Sequence, residues 1–151
     1  MTFDDTYFMK EALKLAEMST IDGEVPVGAV ITRGNRIIAT GRNRRELCKN
    51  ALYHAEIEAI NNACKVLGGW RLWECEMFVT MEPCPMCAGA IINARIRRLV
   101  FGTNDPKSGS CGSVVNLLDK PYNHKVELIS GVLANECAKI LTDFFKKLRT
   151  K

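Results

Sequence analysis

A chain of 151 residues has the length of one ordinary domain, and a composition 47% hydrophobic and 25% charged, with five prolines and eleven glycines, excludes a long disordered or low-complexity segment. A net charge of +4 permits a polyanionic partner but is too small to require one. No apolar run approaches the ~20 residues of a membrane-spanning helix, and "MTFDDTYF" opens on acid where a secretory leader would be basic, so a cytosolic chain forming one domain over residues 1–151 is expected.

Phe8, Ala12 and Leu15 recur at helical spacing behind Asp4 and Asp5, which predicts an amphipathic first helix over 5–18 with acid at its positive end. "PVGAVITRGNRIIATG" follows. Its apolar runs Val27–Ile31 and Ile37–Thr40 flank Gly34 and Asn35 and read as a hairpin. A helical pattern then runs from His54 to Leu67, where Gly68 and Gly69 stop it. "EMFVTM" is a buried strand, Pro83 and Cys84 to Asn93 a helix, and "RRLVFG" a further strand, so this part alternates as βαβ and its strands should be parallel. "KVELIS" is the last strand. A closing helix carries Cys137, Leu141, Phe144 and Leu148 on its apolar stripe. The fold class expected is α/β, a sandwich of helices and strands.

Seven cysteines at irregular spacing do not form a disulfide framework, and Cys48, Cys64, Cys75, Cys111 and Cys137 read as reduced bystanders. Cys84 and Cys87 differ. At i and i+3 near a helix start they can face one ion, Pro83 fits the first helical position, and the helix field favours thiolate. A redox dithiol would use the same geometry. "HAE", His54 to Glu56, also begins a helix. If both helix ends aim at one point, they supply one imidazole and two thiolates and leave a fourth tetrahedral position open, which is the pattern of a catalytic metal rather than a structural one. Glu56 can then take a proton from water and pass it on. His124, in "YNHK", has no ligand spacing around it and reads as structural.

H-x-E paired with P-C-x-x-C resembles the signature of zinc nucleobase deaminases. The likeness is wider than the signature. "EVPVGAV", "HAEIEAI", "TMEPCPMCAGAIINARIRRLVFG", "DPKSGSCGS" and "NHKVELISGVLANECAKILTDFFKKLR" resemble the TadA family of tRNA-specific adenosine deaminases over nearly the whole chain. This resemblance implies a three-layer α/β/α sandwich of cytidine-deaminase-like type with a central five-stranded mixed sheet, assembled as a homodimer. It implies one Zn2+ per chain on His54, Cys84 and Cys87, proton transfer by Glu56, a nucleoside contact from Asn43, and base-holding backbone around Ala55 and Cys84. The implied reaction converts the wobble adenosine of a tRNA anticodon loop to inosine.

Arg42, Arg44 and Arg45 around Asn43, Lys107 beside Asp105, and Arg95, Arg97 and Arg98 are the cations that could meet RNA. Phe145 falls off the closing helix's apolar stripe and is the aromatic expected to touch substrate, while Asp105 either braces its loop or contacts a nucleotide. One stretch departs from the family. "NALYH" replaces an Asp-Pro-Thr-type run before the metal histidine, leaving Asn50 to Tyr53 as an altered pocket wall, with Tyr53 read as a core aromatic. That departure keeps a second activity in view, deamination of a free nucleobase or nucleoside of guanine or cytosine type on the same zinc site. A catalytically silent subunit and a redox dithiol protein are the remaining alternatives.

Overall fold

The computed structural model describes residues 4–150; Met1 to Phe3 and Lys151, included in the expected domain, lie outside them. Asp4 caps helix α1 (Asp5–Ile21), its carboxylate accepting the Tyr7 N–H at 3.0 Å. The hairpin joins β1 (Gly28–Arg33) to β2 (Arg36–Arg42) through Gly34, whose φ of 64° lies where glycine turns most easily. Helix α2 (Ala55–Leu67) ends where expected, with Gly68 left-handed at φ 69° and its N–H returning to the Cys64 carbonyl. Strand β3 (Cys75–Met81), helix α3 (Pro85–Asn93) and strand β4 (Arg98–Thr103) form the βαβ unit, and β3 pairs with β4 in parallel. A short 3-10 turn at Leu117–Asp119 precedes β5 (Glu127–Ser130), and α4 (Ala134–Arg149) closes the fold.

The sheet runs β2-β1-β3-β4-β5, with β1 antiparallel to both neighbours and the last three strands parallel. Alternation along the strands sorts the core into two layers. Ala29, Ile31, Met77, Val79, Leu99 and Phe101 face α2 and α3, meeting Ala55, Ala59, Ala63, Ala88 and Ile91. Val30, Phe78 and Val100 face the other way, onto Phe8, Met9 and Ala12 of α1 and Cys137 of α4. Helix, sheet, helix is therefore the layer order, as the resemblance implies. Burial of each large apolar side chain contributes roughly 1.5–3 kcal/mol.

Two glycines set how closely the helices approach. A Cβ on Gly28 would stand 2.7 Å from the Ala16 nitrogen of α1, and one on Gly41 would stand 2.6 Å from the Ala59 nitrogen of α2. Both helices therefore lie backbone-to-backbone on the hairpin, and the Gly41 contact pins the start of α2.

Some boundaries differ from expectation. The closing helix's stripe leaves the core before its end, because Cys137 and Leu141 are buried whereas Leu148 is 56% exposed. Tyr53 is half-buried beneath the Arg44 guanidinium, 5.7 Å from the ring centre, and is not a core residue. His124 is structural as read, its Nε2 lying 2.7 Å from the Ile96 carbonyl. All seven cysteines are free thiols. Among the described residues no helix is long and apolar enough to cross a membrane.

Candidate metal centre and its cleft

Because β1 runs against β3, the segment entering β1, the segment leaving β2 and the segment leaving β3 all reach the same edge of the sheet, at the carboxyl end of the parallel strands. Here α2 and α3 begin. His54 is the N-cap of α2 and Cys84 the N-cap of α3, both with extended backbones and neither side chain spent on capping its own helix. This corrects one expectation. Pro85, not Pro83, occupies the first helical position, so Cys84 precedes the helix and Cys87 lies inside its first turn.

The three ligand types converge. His54 Nδ1 lies 3.7 Å from Cys84 Sγ and 3.6 Å from Cys87 Sγ, and the three atoms lie within 4.8 Å of one another. A nitrogen and a sulfur bound to one tetrahedral zinc stand about 3.6 Å apart, given bond lengths of about 2.05 and 2.3 Å. The trio therefore fits a single ion without rearrangement. The Cys84 thiol is lowered to about 4, first by its hydrogen bond with Cys87 and then by His54, against burial that opposes ionisation. The same hydrogen bond, then burial and the neighbouring negative charges, push Cys87 the other way, and His54 is raised by its hydrogen bond with Cys84. A thiolate facing an imidazole is a donor set made for a borderline-soft cation.

Glu56 lies in the same cleft and is 4% exposed. Burial pushes its carboxyl up to about 7, partly offset by a backbone N–H and by His54. An acid balanced near neutrality can accept a proton in one step and return it in the next. The cleft encloses about 200 Å³ and is lined by Val25, Val27, Asn43, Arg45, His54, Ala55, Glu56, Met81, Glu82, Cys84, Asp105 and Ser108. That is smaller than the ~300–1,000 Å³ of sites for drug-sized ligands, and it suits one flat group inserted end-on.

The other sequence candidates divide. Asn43 and Ala55 line the cleft; the Asn43 amide donates to the Val25 carbonyl at 3.1 Å and accepts the Arg45 N–H at 3.2 Å, fixing its orientation. Asp105 lines it too, and its carboxylate also braces the loop by accepting from the N–H groups of Lys107 and Ser108 and from the Ser108 hydroxyl at 2.8 Å. The Lys107 side chain is exposed and outside the cleft lining, as is Phe145, which stacks edge-on with Phe144 on α4. Among the arginines beside Asn43, Arg42 pairs with Asp22 and Arg44 with Glu58, which leaves Arg45 on the cleft wall. Arg97 and Arg98 are occupied by Glu76, and Arg98 also by Asp5. Asn50 to Tyr53, the departing run, are absent from the lining.

Sequence reasoning passed over two residues. Glu82 is 3% exposed and accepts from the N–H groups of Asp105, Cys111 and Ser113, each at 3.0 Å, and from the Asn104 amide and the Ser113 hydroxyl. Burial alone would raise its carboxyl, but these donors together outweigh burial and hold it below the usual carboxylate range. Glu24 is 2% exposed and accepts from the N–H groups of Glu46 and Leu47 at 3.1 and 2.7 Å. The signal was there to read in "EVPVGAV" and "TMEPC". A carboxylate set between apolar residues and proline has no solvent to face, so it must meet backbone donors.

A family model described as MafB19-like deaminase matches residues 3–149. A tRNA-specific adenosine deaminase of Bacillus subtilis is 48% identical over 152 aligned residues, which span 100% of this chain and 94% of that one. A solved structure from a study of A-to-I editing by tRNA:A34 deaminases at the wobble position of transfer RNA is 43% identical, with a TM-score of 0.87 over 90% of this chain and 99% of that one. A guanine deaminase from Nitrosomonas europaea, at 24% identity and TM-score 0.79 over 95% of this chain and 85% of that one, shares the fold. With matches that run nearly from end to end, the chain belongs to the family of tRNA-specific adenosine deaminases and to the MafB19-like deaminases.

Proposed function

We propose that this chain converts adenosine to inosine at the wobble position of a tRNA anticodon loop, by hydrolysis at a zinc ion held by His54, Cys84 and Cys87. The observation that carries the reading is the convergence of one imidazole nitrogen and two sulfurs beside a buried carboxylate in a base-sized cleft. Bound there, zinc would supply a Lewis acid that brings the pKa of a water to about 7. The remaining work belongs to the chain. Glu56 would move two protons, one from the attacking water to the purine ring and one from the newly added hydroxyl to the departing amine, so that water and adenosine become inosine and ammonia. Val25, Val27 and Met81 provide an apolar wall for the base, and Asn43 offers a fixed amide to the nucleoside. The Arg45 cation stands at the same wall, where a phosphate of a flipped nucleotide would be attracted.

The free-base alternative took its motive from Asn50 to Tyr53. Those residues are exposed or half-buried and outside the cleft lining, so they leave the base-facing surface unchanged. The homodimer belongs to this proposal as well. An apolar face formed by Leu52, Ile57, Met86 and Ala90 lies open on the outer side of α2 and α3, and Gly89 between them leaves room for a second copy to approach closely. The test is to incubate the zinc-loaded protein with an anticodon stem-loop bearing a wobble adenosine and to look for inosine. Formation of inosine, falling steeply with salt, is expected; none formed at about one zinc per chain overturns the reading.

A further inference from the structure

The loop from Asn104 to Ser113 forms one lip of the cleft, through Asp105 and Ser108, while its middle, Gly109 to Cys111, is buried and Cys111 joins the core. One side chain ties its two arms together. Glu82 receives donors from both ends of the loop, at Asn104 and Asp105 on one arm and at Cys111 and Ser113 on the other. Gly109 closes over the top, where a Cβ would run into the Glu82 carboxyl and the Asp105 carbonyl. The Pro83 carbonyl adds one backbone tie, accepting the Ser110 N–H at 2.9 Å. Asp105 and Ser108, bonded to each other at 2.8 Å, are thus presented to the cleft at a height set by Glu82.

We propose that Glu82 is a positioning residue for substrate: by gathering both arms of the 104–113 loop it places the Asp105–Ser108 lip against the bound nucleotide. It does not touch the reacting atoms. A charged acceptor shared by several backbone donors is a rigid anchor, because releasing any one donor strands it in a buried place. A glutamine there would offer one oxygen where the loop needs two, and would aim N–H at N–H.

The inference rests on the deamination reading, and the experiment separates the two. Glu82→Gln and Gly109→Ala disturb the same contact from opposite sides, and Gly109 has no left-handed backbone requirement that alanine would strain. Arg33→Ala, at the other end of the sheet, serves as a control that loses an ion pair with Glu74 away from the cleft. Each protein is loaded with zinc, and three quantities are read: zinc per chain, kcat and KM on the anticodon stem-loop, and hydrogen exchange of the 105, 111 and 113 amides. Both cleft variants should raise KM by about tenfold or more with kcat changed less than about threefold, keep about one zinc per chain, and expose those amides. Arg33→Ala should leave KM, zinc content and these amides unchanged. An unchanged KM in Glu82→Gln, or a fall in activity that tracks lost zinc, overturns the proposal. Should the wild-type protein form no inosine, the deamination reading fails first, and the exchange data still decide: protected amides in Glu82→Gln overturn the anchor.

Discussion

Glu56 sits 4% exposed in a cleft that His54 and Cys84 also line, and burial pushes its carboxyl up to about 7. Glu56→Ala should therefore keep about one zinc per chain while lowering kcat by at least about 10²-fold, because it removes a proton relay and no ligand. Metal content and turnover measured on one preparation check this, and a variant that loses both would instead make Glu56 part of the ion's support. Thr32 offers a different residue-scale test. Its hydroxyl is the one buried side-chain polar atom without a hydrogen-bond partner among the described residues, at the register slip between Ile31 and Thr32. Thr32→Val keeps the shape and removes the stranded oxygen, so Tm should stay or rise by a few degrees, on the order of 1 kcal/mol. At this scale the sequence was informative wherever residue type and chemistry coincide. Histidine and cysteine announced themselves, whereas the neighbours of Glu24 and Glu82 in the sequence speak only for burial, because the partners are backbone N–H groups from distant loops.

Elements rather than residues decide whether the metal ligands meet. The start of α2 is fixed against β2 at Gly41, and the start of α3 is fixed by following directly from β3. Gly28 makes the same kind of contact with α1, on the opposite face of the hairpin. Gly41→Ala and Gly28→Ala should each destabilise the protein by about 1–3 kcal/mol through overpacking. Only Gly41→Ala should also weaken zinc retention against a chelator, since only that change displaces His54 and Ala55. Thermal melts with parallel zinc titrations check the pair; equal zinc retention in both would deny α2 its placing role. Helices, strands and the parallel βαβ pairing were legible beforehand from periodicity and from glycine and proline. The cap positions were not. "EPCPMC" offers two prolines for one helical start, and choosing Pro85 over Pro83 depends on where β3 releases the chain.

On the scale of the whole molecule, the metal-type ligands and the cleft with Glu56 lie at one edge of the sheet, and a separate apolar face lies open on α2 and α3. If that face joins two copies, Met86→Asp should shift sedimentation from dimer to monomer by placing a buried charge in the contact. A monomeric wild-type protein at micromolar concentration would remove the homodimer from the proposal. This level was the least legible in the sequence, since apolar residues at helical spacing look the same whether a core or a second subunit covers them. The remaining edge has a use of its own. Trp70 and Trp73 are the chain's two tryptophans and lie just ahead of β3, a strand length of about 20 Å from the cleft. Intrinsic fluorescence will thus report the melting of the scaffold and stay silent when a nucleotide arrives, so binding studies need a labelled RNA, and a dye or surface attached near Trp73 leaves the working face free.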